Sequence, residues 1–225
     1  MTFSSRFENR HRESRNQMQT ILLTSAGMQV KDEILKLLPR PANQINLAYI
    51  MTAVKPSADK AYAEDDRKLL EEAGFNIEDI DIEGKTETEL FKALACFNII
   101  YVQGGNPFYL LKTVHESGFD KVVKELVAKG VIYIGVSAGS VICGPIIETA
   151  DWKKPGRNRY DLKDLTGMNL VPFNLFVHYE DKWKDTVKEK SKESLFPIIT
   201  LTDKQAILVC GDKTELVGDH PQIIL

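Results

Sequence analysis

The run Val131-Ile132-Tyr133-Ile134-Gly135-Val136-Ser137-Ala138-Gly139 constrains the fold more than any other part of the chain. Its apolar, β-branched first half has the composition of a strand buried on both faces. It ends in Gly-x-Ser-x-Gly, the pattern of a sharp strand-to-helix turn that lifts a serine hydroxyl above a sheet edge. In such a turn a Cβ at either flanking position collides with backbone, which explains Gly135 and Gly139 and the small Ala138 between serine and glycine. Ser137 is thereby the candidate nucleophile. The same pattern also occurs as a plain tight turn, so its surroundings decide what it means.

Those surroundings alternate. Strand-like runs at Thr20–Ser25, Ile45–Ile50, Asn76–Ile82 and Asn98–Val102 are separated by helical patterns near Val30–Leu38, Lys60–Ala73 and Thr86–Leu94, the last opened by the capping box Thr86-x-x-Glu89. After Gln103-Gly104-Gly105-Asn106-Pro107 come a helix through Leu110, Leu111 and Val114 and another over Asp120–Lys129, leading into the serine strand. This β-α alternation, without internal repeats, predicts an α/β fold with an open parallel sheet covered by helices on both faces. Ligands gather at the carboxyl ends of such strands, so the turns after Val102 and Val136 should open on one edge. Beyond them, Trp152–Asp164 reads as a polar loop bordering a cleft, Leu175–His178 as a short strand and Asp181–Ser194 as a charged helix. Ile198–Thr202, Ala206–Val209 and Thr214–Val217 read as terminal strands, with turns at Asp203-Lys204 and Gly211-Asp212.

At 225 residues, 43% of them hydrophobic, the chain suits one sizeable core, expected over residues 18–225 as a single α/β domain. Residues 1–17 are polar and read as a disordered arm, with Met18 an alternative natural start. Basic and acidic residues nearly balance, 29 against 32, without a basic stripe, which argues against nucleic-acid and anionic-membrane partners. Nowhere do 18 consecutive apolar residues occur, so no transmembrane span is expected. Three widely spaced cysteines, Cys96, Cys143 and Cys210, fit neither a zinc site nor a disulfide framework, and point to a reducing, cytoplasmic location.

A serine hydroxyl needs a positioned base. Of the four histidines, His11 falls in the arm, His115 in a helix beside Glu116 and His220 in the tail, which leaves His178, at the end of a strand-like run, as candidate base or as a backbone-bonded edge histidine. The orienting carboxylate is expected at Asp151, 14 residues after the serine, with Glu148 as competitor and Glu180 and Asp181 too close in sequence to His178. The order Ser137, Asp151, His178 is then nucleophile, acid, base. The Ala138 amide, with Gly104 and Gly105, could hold an oxyanion, and Asn106 could cap the helix behind them. The glycine turn lacks the Lys-Ser/Thr ending of a P-loop, which argues against phosphate. Arg157 and Arg159 are the arginines near the expected cleft.

Tyr101-Val102-Gln103-Gly104-Gly105-Asn106-Pro107-Phe108-Tyr109-Leu110-Leu111, then Tyr133 through Gly139, then Phe176-Val177-His178-Tyr179, together resemble the peptidase E family of serine peptidases, which includes aspartyl dipeptidases and, more distantly, cyanophycinases. The likeness runs from about Met18 to Gly218. It implies a three-layer sandwich of the flavodoxin-like or class I glutamine-amidotransferase-like kind, and a cytoplasmic, cofactor-free and metal-free exopeptidase, monomeric or homodimeric, acting on small peptides. Its triad would fall on Ser137, His178 and Asp151. Where the family's aspartyl dipeptidases read Ser-Ala-Gly-Ala-Asn, this chain has Ser137-Ala138-Gly139-Ser140-Val141, which keeps the nucleophile and leaves the preference for amino-terminal aspartate open. Two other readings remain: an inert flavodoxin-like binding or regulatory domain, and another amide hydrolase of the amidotransferase-like type. The cysteine form of the latter would have to use Cys143, six residues past the elbow.

Overall fold

A computed structural model describes residues 18–219, so the expected arm at 1–17 with His11, and the tail with His220, lie outside the described residues. Five parallel strands form as the alternation requires: β1 (Thr20–Thr24), β2 (Asn46–Ile50), β3 (Asn76–Ile80), β4 (Ile99–Val102) and β5 (Ile132–Val136). Between them run α1 (Lys31–Lys36), α2 (Ala61–Glu72), α3 (Glu87–Leu94) and the pair α4 (Pro107–Ser117) and α5 (Phe119–Ala128). Further along come the single turn α6 (Ala138–Val141), the short strands β6 (Asn174–Phe176) and β7 (Ile198–Thr200) with α7 (Lys184–Lys190) between them, and the hairpin β8 (Gln205–Cys210) and β9 (Lys213–Gly218).

The main sheet has the order β3-β2-β4-β5-β1-β8-β9, parallel up to β1 and antiparallel through the final hairpin. Because a strand's side chains alternate between faces, β1 sends Ile21 and Leu23 into one core with α3, α4 and α5. Leu22 faces the other, with α1 and α2. Helices thus cover both faces of the sheet, giving a flavodoxin-like three-layer α/β sandwich.

Local chemistry fixes the element ends. Thr86 and Glu89 form the capping box at the start of α3, with Thr86 N donating to Glu89 Oε2 at 2.9 Å. Asn106 caps α4 by accepting from Phe108 N and Tyr109 N at 3.0 and 3.1 Å, with Pro107 in the first turn where its missing N–H costs nothing. Two expectations change. The charged helix read over Asp181–Ser194 is shorter, a 3-10 turn at Asp181–Trp183 followed by α7; the chain leaves the helix through a turn at 191–193, and beyond it Ser194 Oγ accepts from Phe196 N at 3.3 Å. The strand read over Leu175–His178 ends at Phe176, and β6 pairs with β7 in a separate two-stranded parallel sheet.

Candidate active site

Parallel strands place the turns after β1, β4 and β5 on one carboxyl edge, and three of the site's polar groups come from those turns. After β5, Ser137 has φ 47° and ψ −106°, a strained conformation for a residue with a side chain. The strain is held by packing that only glycine allows. A Cβ on Gly135 would lie 2.7 Å from Gly139 O, and one on Gly139 would lie 2.1 Å from Val102 O. Thr24 O accepts from both Ser137 N (3.0 Å) and Ser140 Oγ (2.8 Å). Ser140, one of the two departures from the aspartyl-dipeptidase pattern, is therefore a buried strut between the elbow and β1.

His178 follows β6 and turns back with φ 50°. Its Nε2 lies 2.9 Å from Ser137 Oγ, and its Nδ1 lies 2.5 Å from Asp203 Oδ1. With a carboxylate on Nδ1, that nitrogen carries the ring proton, and Nε2 is left to accept from the serine hydroxyl. The hydrogen bond from His178 holds the Asp203 carboxyl below the usual range against the opposing effect of partial burial.

The expectation for the orienting carboxylate is thereby corrected. Asp151 ends the 3-10 turn Glu148–Asp151, and its carboxylate accepts from Gly156 N and Arg157 N at 3.2 and 3.0 Å, bracing the loop and leaving the imidazole to Asp203. Its competitor Glu148 accepts from Asn174 Nδ2 and Ser194 Oγ. Asp203 sits between β7 and β8, where its sequence reads as an ordinary turn. His115 is exposed and contacts Thr166 O at 2.9 Å.

Ser25, unmarked in the sequence, closes the arrangement. Its hydroxyl accepts from His178 N at 2.7 Å and donates to Asp203 Oδ1 at 2.9 Å, tying both residues to the end of β1. On the other side of the histidine, the half-buried Lys153 ammonium donates to His178 O and, at 2.6 Å, to Val177 O, over the Phe176 ring at 4.6 Å. Burial pulls Lys153 down to about 8, with Asp203 and Glu180 pulling the other way.

The glycine turn after β4 faces the same serine. A Cβ on Gly104 would meet Ser137 Cβ at 2.9 Å, and one on Gly105, at φ 147°, would meet Ala53 O at 2.1 Å. The two amides differ: Gly104 N donates to Gln103 Oε1 at 2.6 Å, whereas no backbone carbonyl among the described residues accepts from Gly105 N or Ala138 N. Of the expected donors, Gly104 is therefore a spacer, and Gly105 and Ala138 keep their N–H groups free of the backbone. A cleft of about 630 Å³ opens over Ser137 and His178, walled by Ser57, Tyr62, Asp65, Leu69 and Arg157. A second pocket of about 60 Å³ lies against the same serine, among Val141, Thr149, Ala150, Leu175, Lys153 and Arg157. Arg157 Nη2 donates to Gly105 O at 3.2 Å, and burial lowers its guanidinium while Asp151 raises it.

Cys143 is fully buried, its thiol donating to Gly139 O at 3.2 Å and pushed up to about 12 by burial, so it has neither the access nor the ionisation a nucleophile needs. Among the described residues no group of three or more His, Cys, Asp or Glu side chains could hold a metal ion, and no helix is long and apolar enough to cross a membrane.

The pattern of peptidase family S51 matches residues 21–217. An uncharacterized peptidase of Pasteurella multocida strain Pm70 is 29% identical over 206 residues, covering 90% of this chain and 99% of that protein. A Drosophila melanogaster protein named as a probable alpha-aspartyl dipeptidase is 30% identical over 165 residues, covering 68% of this chain and 65% of its own length. A crystal structure from Listeria monocytogenes EGD-e, described there as a candidate peptidase E protein, superposes with a TM-score of 0.80 at 28% identity, covering 90% of this chain and 100% of that one. The chain belongs to peptidase family S51 and is a serine-type peptidase.

Proposed function

We propose that this chain is an exopeptidase that hydrolyses small peptides through an acyl-enzyme, with Ser137 as nucleophile, His178 as general base and Asp203 as its orienting acid. The observation that carries the reading is the unbroken contact from Asp203 through His178 to Ser137, at 2.5 and 2.9 Å. His178 Nε2 takes the hydroxyl proton as Ser137 Oγ attacks the peptide carbonyl, and Asp203 stabilises the imidazolium that forms. The amides of Gly105 and Ala138 donate to the developing oxyanion. Collapse of the tetrahedral intermediate passes the proton from His178 to the leaving amine, and water then attacks the ester by the same route in reverse.

The two pockets support a short acidic side chain on the acyl side. The pocket of about 60 Å³ has room for little more than a carboxylate, and Lys153 and Arg157 are its two cationic groups. The larger cleft takes the rest of the peptide. The test is a panel of Asp-X and X-Ala dipeptides: Asp-X should be turned over fastest, and Ser137→Ala should lose at least roughly a thousandfold in kcat. Equal rates for parent and Ser137→Ala would overturn the assignment.

A further inference from the structure

Behind the glycine turn lies a buried polar network that the reaction scheme leaves unused. Asp66, on α2, is 8% exposed, and Gln103, at the end of β4, is 1% exposed. Asp66 Oδ1 accepts from Met28 N at 2.8 Å, and its Oδ2 accepts from Tyr101 OH at 2.6 Å and from Gln103 Nε2 at 2.9 Å. Gln103 Nε2 also donates to Tyr49 OH at 2.6 Å, and that hydroxyl spends its own proton on Ala63 O at 2.8 Å. Both amide hydrogens of Gln103 thus meet acceptors with no proton to offer, which leaves Oε1 one orientation: toward Gly104 N, at 2.6 Å. The turn is pinned from the far side as well, where Asn106 N donates to Ala53 O at 2.9 Å. Gly27 leaves the space Asp66 needs, since a Cβ there would lie 2.4 Å from Asp66 Oδ1.

We propose that Asp66 is a positioning residue for hydrolysis: by fixing the orientation of the Gln103 amide it locks Gly104, and thereby aims the Gly105 N–H at the substrate oxygen. The inference rests on the reading of Gly105 as an oxyanion donor. A carboxylate suits the place because all three of its partners are donors. It also reaches, through Met28 N, the segment that follows β1, whose Ser25 holds the base and acid, so both arms of the site hang on one buried group.

The network makes an unusual test available. In Asp66→Asn the fixed Met28 N–H keeps the side-chain oxygen, since the Tyr101 hydroxyl and the Gln103 amide can rotate and it cannot; the new Nδ2 then faces Gln103 Nε2, donor against donor, and the Gln103 amide must turn over, presenting N–H to the Gly104 N–H it formerly accepted. Adding Gln103→Glu restores an acceptor toward that new Nδ2 and toward Gly104 N, with the Tyr49 hydroxyl turning its proton from Ala63 O to the new carboxylate, and keeps a single buried negative charge. A kcat about a hundredfold lower with KM within about threefold is expected for Asp66→Asn, the scale of a lost oxyanion donor, and the double variant should recover at least about tenfold of that. Folding of each variant is checked by its thermal midpoint. A folded Asp66→Asn with kcat within threefold of the parent, or a folded double variant no faster than the single, would overturn the inference. Should Asp66→Asn not fold, Gln103→Met leaves Asp66 its Met28 and Tyr101 partners and should show the same kcat loss; parent-like kcat there overturns it equally. Ser137→Ala is assayed alongside, because activity surviving in that variant refutes the hydrolytic assignment itself rather than the role of Asp66.

Discussion

The backbone amide of His178 donates to the hydroxyl of Ser25 at 2.7 Å, so the residue that follows the first strand anchors the left-handed backbone of the candidate base. The same hydroxyl donates to Asp203 Oδ1 at 2.9 Å, which makes Ser25 a joint between His178 and Asp203. Ser25→Ala leaves the His178 N–H without its acceptor in a site where Ser25 itself is fully buried. The expected cost is about 1–3 kcal/mol of stability, read from the denaturant midpoint, with a kcat reduced roughly tenfold at little change in KM.

Asp203 and Asp151 should separate cleanly. Asp203→Asn keeps the shape but lets the imidazole adopt the wrong tautomer, and kcat should fall by about three to four orders of magnitude. Asp151→Asn weakens only the turn at Gly156 and Arg157, so it should raise KM with kcat within about tenfold. Steady-state kinetics of the two variants, on one Asp-X substrate, decide the matter.

Acid should affect stability through the same residue. The folded chain holds the Asp203 carboxyl below its ordinary value of 3.8, so the stabilisation is full above that value and is lost as pH falls toward the folded value. Chemical denaturation at pH 6 and pH 3 should therefore show a smaller stability difference in Asp203→Asn than in the parent.

Lys153 gives the opposite limb. Burial lets it lose its proton near pH 8 in the folded chain, against 10.5 when free. Turnover of Asp-X peptides should decline as pH rises through about 8, because the small pocket then loses one of its two cations. Since the folded chain releases this proton first, the contribution of Lys153 to stability rises over the same interval. Lys153→Met should flatten both trends and lower kcat/KM for Asp-X more than for X-Ala.

Gly105 has no tolerance for a side chain. At φ 147°, with Ala53 O 2.1 Å from the Cβ position, Gly105→Ala must move the turn. Activity should fall about a hundredfold or more. Gly84→Ala, at φ 71° with no atom within 4 Å of its Cβ, should cost about 1 kcal/mol and leave kcat unchanged.

What could be read in advance depended on how far apart the partners lie. The sheet was legible because each β-α unit carries its own pattern, and the elbow because Gly135, Gly139 and Ala138 mark a crowded turn locally. His178 was reachable by elimination and by chain order. Asp203 was not: an Asp-Lys pair between two strands is an ordinary turn signal, and only pairing of β6 with β7 brings it back beside a histidine 25 residues earlier. Ser25 carried no signal, since a single serine at a strand end has a dozen uses. Asp66 was hidden differently, as one acid in a charged helix, its burial evident only once α2 packs against β4.

The central claim is that Ser137 is an activated nucleophile, and covalent labelling tests it most directly. A fluorophosphonate incubated with the full chain should leave one adduct, located by peptide mass spectrometry on Ser137, formed at least a hundredfold more slowly in His178→Ala and absent in Ser137→Ala. No adduct, or an adduct that persists in Ser137→Ala, would contradict the account.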